Sequence, residues 1–170
     1  GVLARTITVR QMLRNWLVVY LGNFAGALLV AALCVSGHVF SAFGGKLAAS
    51  VIAIAQTKAG LTFGDAFVRG ILCNFLVCIA VWMANAAKTV GGKIAAVFFP
   101  IMAFVVAGFE HSIANMYYLA AGLFTAGQTG AAAEGLTWCR ALAGNLLPVT
   151  LGNLVGGGLL VGVSAWYLYL

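Results

Sequence analysis

The chain has 170 residues, of which 64% are hydrophobic and only 7% charged, with a formal net charge of +6 at pH 7. A water-soluble domain carries about 25% charged residues, so this composition excludes a soluble globular protein. Long unbroken stretches rich in Gly and Ala exclude the alternating pattern of an outer-membrane barrel and point to an all-α membrane bundle. The basic residues sit in short loops between apolar stretches, where they set topology, and nucleic acid is not implied as a partner.

A hydrocarbon core of ~30 Å needs about 20 apolar residues per helix, and four spans are predicted. The first covers about 13–35. A Gly- and Ser-rich loop at 36–48 follows, and 49–54 then leads to Lys58. The second covers about 67–87, and 88–93 is a tight basic turn. The third, about 94–123, is too long for one simple crossing. A small polar loop at 125–136 precedes the last span, about 142–170, which Pro148 and Gly156-Gly157-Gly158 are expected to break. Residues 1–170 read as a single transmembrane domain. No targeting segment is visible and basic residues precede the first span, which reads as the C-terminal part of a longer protein. Cys34, Cys73, Cys78 and Cys139 form no CxxC pair and read as small apolar side chains.

Orientation follows from the basic residues. Arg5, Arg10, Arg14, Lys88 and Lys93 mark one side; Lys46, Lys58 and Arg140, with Asp65 and Glu134, mark the other. The first side is expected to be cytoplasmic, and four crossings return the C-terminus there. An internal repeat accompanies this. NWLVVYLGNFAGALL at 15–29 and NLLPVTLGNLVGGGL at 145–159 share eight of fifteen positions at a fixed offset of 130. Shared Leu and Val are common among apolar helices, but Asn15/Asn145, Gly22/Gly152, Asn23/Asn153 and Gly26/Gly156 in register are not. The copies lie three spans apart and so cross in opposite directions, as in an inverted-topology repeat of a transporter or channel. The complete protein is then expected to have six spans, two of them upstream. Gly22/Gly26 and Gly152/Gly156 each form GxxxG, which lets helix backbones approach closely, and Asn23 and Asn153 are expected to bond across to neighbouring helices.

Only Glu110 and His111 interrupt the uncharged run between Lys93 and Glu134. A charged side chain at bilayer depth costs at least ~2.5–3.5 kcal/mol, so an ionisable group there reads as functional. Gly108 just before them, in an over-long span, predicts a discontinuous helix. Its second half would start near His111 or Ser112 and present its N–H groups and positive dipole end to an anion; an intact helix with a structural Glu–His pair is the alternative. His111 is placed to hydrogen-bond an anion. Glu110, about 100° away on a helix, reads as structural. Lys58, after Ala55-Gln56-Thr57 at the outer mouth, would raise the local anion concentration or else snorkel at the interface. Asn74 and Asn115 are polar groups that need buried partners. Phe104, two turns before His111, and Val77, beside Asn74, would make an apolar constriction or ordinary core.

Three stretches carry a family resemblance: GFEHSIANM at 108–116, LCNFLVCIAVWM at 72–83 and NLLPVTLGNLVGGG at 145–158. The chain resembles the formate/nitrite transporter family along essentially its whole length. The resemblance implies an aquaporin-like six-helix protomer of the inner membrane, here incomplete. It also implies a homopentamer with one pore per protomer, no cofactor, and small monovalent anions as cargo, formate first, then nitrite or hydrosulfide. It further implies that His111 is the central pore histidine with Asn74 and Asn153 around it, that Lys58 is the outer lysine, and that Phe104 and Val77 belong to the outer constriction. The implied mechanism draws an anion in by Lys58 and the half-helix dipole. His111 then hydrogen-bonds or protonates it before it crosses apolar constrictions. A membrane-embedded enzyme built on Glu110 and His111 lacks further metal ligands and a nucleophile, and a purely structural subunit would use the polar groups only to glue helices.

Overall fold

A computed structural model describes residues 1–169; Leu170, the end of the predicted last span, lies outside the described residues. The regular structure described is all helical. Helix α1 is Val9–Ser36, α2 Lys46–Ala59, α3 Phe63–Ala86, α4 Val90–Val106, α5 Ser112–Thr129 and α6 Arg140–Tyr169. Helices α1, α3 and α6 have mean hydropathies of 2.2, 2.0 and 1.8 over their most apolar windows and are each long enough to cross a bilayer. Many large apolar side chains face outward, among them Val18, Leu29, Leu33, Phe99 and Val106. The chain is an all-α membrane protein.

Local chemistry sets the helix ends. Helix α1 begins four residues before the predicted span because Thr8 makes a capping box. The Thr8 hydroxyl accepts the Gln11 N–H at 3.2 Å, and the Gln11 side chain accepts the Thr8 N–H at 2.8 Å. Thr89 caps α4 by accepting the Gly92 N–H at 3.0 Å, so the helix includes Lys93 and starts at Val90 rather than Ile94. Three further expectations are corrected. Residues 46–59 form helix α2 and are not a lead-in to Lys58; its apolar residues Ala48, Ile52, Ala55 and Ala59 recur at helical spacing and are buried. Helix α5 runs on through Thr129, which shortens the loop predicted from Thr125. The last span is not broken: α6 continues past Pro148 and the glycine triplet by widening into π-helical turns at Arg140–Leu146 and Leu154–Val163. Such turns shift the hydrogen-bond ladder by one residue and accommodate a proline without ending the helix.

The described chain packs as two compact units. One comprises residues 1–62 and 113–146. Its core is built largely of small side chains: Ala55 and Ala59 of α2 meet Met116 and Leu119 of α5 with Leu136, Ala141 and Leu146, while Ala31 and Val35 of α1 meet Phe40, Ala48, Ala120 and Ala121. The fit is tight enough that a Cβ on Gly122 would run into the Ala55 side chain.

The other unit comprises 63–112 and the chain from Leu147 onward, with α3 packed along α6 and against α4. Here the glycine pattern has its predicted effect. A Cβ on Gly70 would lie 2.8 Å from the Val149 carbonyl oxygen, and Cβ atoms on Gly152 and Gly156 would collide with the carbonyls of Phe67 and Ile71. The α3 and α6 backbones therefore touch. The other copy of the repeat has different surroundings: Gly22 and Gly26 have nothing within 4 Å of a built Cβ, and Asn23 is exposed, donating to Val19 of its own helix at 2.9 Å.

Candidate functional site

The predicted break is real and sharply built. Helix α4 stops in a Schellman motif: Gly108 takes φ +68°, its N–H bonds the Val105 carbonyl at 3.2 Å, and the Phe109 N–H bonds the Phe104 carbonyl at 3.0 Å. The chain then runs without regular structure to Ser112, where α5 begins. Backbone groups freed at this depth need partners, and α3 and α6 supply them. The Glu110 N–H donates to the Arg69 carbonyl at 3.3 Å. The Asn153 amide donates to the Gly70 carbonyl at 2.8 Å and to the Glu110 carbonyl at 3.0 Å, and its oxygen accepts the Ser112 N–H at 2.9 Å. One side chain thus fastens the break to α3 and caps the first N–H of the following helix. Asn74 in turn donates to the Asn153 carbonyl at 2.7 Å. Glu110 is buried, and His111, half-buried, stacks on Phe104 with ring centroids 6.1 Å apart and planes inclined at 21°.

A second polar cluster lies in the other unit. Asn115 and Asn145 are both buried; the Asn115 amide donates to the Asn145 oxygen at 2.8 Å, and the Asn145 amide donates to the Lys58 carbonyl at 2.9 Å. The Lys58 ammonium lies over the Tyr118 ring, 5.5 Å from its centroid. Each unit therefore holds one dense asparagine network at the end or break of a helix.

The model of the formate/nitrite transporter family matches residues 1–167. The chain belongs to the formate/nitrite transporter family. It is 43% identical over 174 residues to the formate channel FocA of Haemophilus influenzae, an alignment covering 95% of this chain and 61% of that protein. It is 38% identical over 185 residues to a probable formate transporter of Methanothermobacter thermautotrophicus, covering 100% of this chain and 64% of that one. Among solved structures it is similar to a pentameric formate channel with formate bound, with a TM-score of 0.87 and 37% identity, covering 97% of this chain and 69% of that one. The chain thus spans less than two thirds of the length of these two sequence relatives.

In this formate/nitrite transporter family member the predicted site residues fall into the two clusters. His111, Phe104, Gly108, Glu110, Asn74 and Asn153 come together at the break, with Val77 half-buried one turn beyond Asn74 on α3; Lys58 and Asn115 belong to the second cluster. The geometry gives Asn153 a holding task, since both amide hydrogens and its oxygen are engaged by backbone. Sequence reasoning missed Tyr118, and it treated Asn145 only as a member of the repeat. The Asn145–Asn153 spacing of eight, a little over two helical turns, was the available signal for a second clamp. The carbonyls of Arg69 and Gly70 have no signature in the sequence.

Proposed function

We propose that the chain forms the C-terminal four spans of a homopentameric pore for small monovalent anions, with formate as first cargo and nitrite or hydrosulfide as alternatives. The observation that carries this is an ionisable ring, His111, at a break in a membrane helix whose freed backbone is held by Asn153. The half-helix beginning at Ser112 turns its positive end towards the break, which favours an anion there. His111 hydrogen-bonds that anion. In the proton-coupled form it passes its ring proton to a formate oxygen, and formic acid crosses apolar stretches that would reject the ion. Lys58 raises the anion concentration at the mouth. Transport fits these residues better than catalysis, because the polar groups around His111 are engaged in holding the backbone of the break. The names of the relatives, formate channel and probable formate transporter, support formate, and the pentameric structural neighbour supports the assembly.

The protein is placed in the inner membrane with its C-terminus cytoplasmic, on the distribution of basic residues. Formate and nitrite flux into liposomes containing the full-length protein tests the reading. Wild type is expected to conduct with a pH dependence that His111→Asn abolishes together with most of the flux. Equal flux in the two proteins at every pH overturns the histidine mechanism.

A further inference from the structure

Lys58 sits in the last turn of α2, where a cation meets the negative end of the helix. Two contacts fix it more closely than attraction of anions by itself requires. Its backbone carbonyl is taken by the buried Asn145 amide at 2.9 Å, and Asn145 is itself held by Asn115 at 2.8 Å. Its ammonium lies over the Tyr118 ring at 5.5 Å from the centroid. Asn115 and Tyr118 are three apart on α5 and share one helical face, so that face reaches the lysine twice, through Asn145 at the backbone and through the ring at the charge. A lysine side chain is a flexible four-carbon stem, and contacts of this kind narrow the region its ammonium samples. An aromatic face also differs from a carboxylate as a partner: it attracts the ammonium through its quadrupole and leaves the positive charge uncancelled. That is the property needed where the charge must act on a passing anion.

We propose that Tyr118 and Asn145 are positioning residues for Lys58, Asn145 fixing its backbone and Tyr118 helping to hold its ammonium in place. The proposal rests on the reading of Lys58 as the residue that gathers anions. Initial formate flux is measured against formate concentration in liposomes containing the full-length protein. Tyr118→Leu is expected to raise the half-saturating concentration by about two- to fivefold, with maximal flux unchanged. Tyr118→Phe, which keeps the ring, is expected to match wild type. Asn145→Ser is expected to raise the half-saturating concentration too, and neither Tyr118→Leu nor Asn145→Ser is expected to change it further when Lys58 is already alanine. An effect of Tyr118→Leu that persists without Lys58, or a Tyr118→Phe variant that behaves like Tyr118→Leu, overturns the role of Tyr118; an Asn145→Ser effect that persists without Lys58 overturns the role of Asn145. A readout without transport is the rate at which the Lys58 amine is acylated, followed by peptide mass spectrometry. It is expected to rise in Tyr118→Leu and not in Tyr118→Phe, and an unchanged rate overturns the ring contact. Wild-type flux in Lys58→Ala would instead overturn the anion-gathering reading itself.

Discussion

At the level of single residues, the break depends most on Asn153. Its side chain satisfies two carbonyls and one N–H that have left the regular ladder, on α3, on the break and at the start of α5. A buried backbone group left without a partner costs about 1–3 kcal/mol, and Asn153→Ala would leave up to three of them. The expected loss is therefore about 3 kcal/mol or more, read as a lowered thermal midpoint of the purified protein in detergent. Asn153→Ala with an unchanged midpoint would mean that water replaces the amide and that the clamp is dispensable. Much of this site was legible in the sequence. Gly108 before the only ionisable pair of an over-long apolar run identified the break, because glycine is the residue that adopts φ +68° without strain. The acceptors were not legible: Arg69 and Gly70 contribute backbone carbonyls, and a carbonyl reveals nothing of itself through its residue type.

The helices show the same division. The GxxxG of α6 predicted a close backbone approach, and the structure supplies the partner, α3. Gly156→Ala is expected to push the α3 and α6 backbones apart, because its new Cβ would meet the Ile71 carbonyl, and to lower the thermal midpoint of the described chain. Gly22→Ala meets open space in the same chain and is expected to be neutral or to gain up to about 1 kcal/mol of helix propensity. An equal loss at both glycines would mean that a second backbone lies on the Gly22 face. Helix α2 escaped the sequence reading for a different reason. The glycines at 44 and 45 and the serines around them dominate the composition of 36–50, and the helical recurrence of Ala48, Ile52, Ala55 and Ala59 rests mostly on alanine, whose small side chain gives a weak apolar signal. The alanines are nevertheless what lets α2 pack closely, as the contact between Ala55 and Gly122 demonstrates.

For the molecule as a whole, α2 bears directly on topology. Its 14 residues rise about 21 Å, short of the ~30 Å hydrocarbon core, so α2 does not add a crossing between α1 and α3. With α4 and α5 taken as one broken crossing, counting crossings leads us to expect the loop around Lys88 on the side of Arg5, Arg10 and Arg14, and the segment around Cys139 on the other. On the larger share of basic residues, the Lys88 side is expected to face the cytoplasm. The chain carries its own probe for this arrangement. Cys139 is exposed, Cys73 is buried, and Cys34 and Cys78 are half-buried within membrane helices. A membrane-impermeant maleimide is therefore expected to label Cys139 in intact cells. A cysteine introduced as Lys88→Cys in a Cys139→Ser background is expected to react only after the membrane is permeabilised. The opposite pattern would mean that α2 crosses the bilayer after all or that the basic residues do not set the orientation. Labelling of α2 itself separates the two. If α2 crosses, cysteines placed at Lys46 and Lys58 react from opposite sides; if it does not, both react from the same side as Cys139.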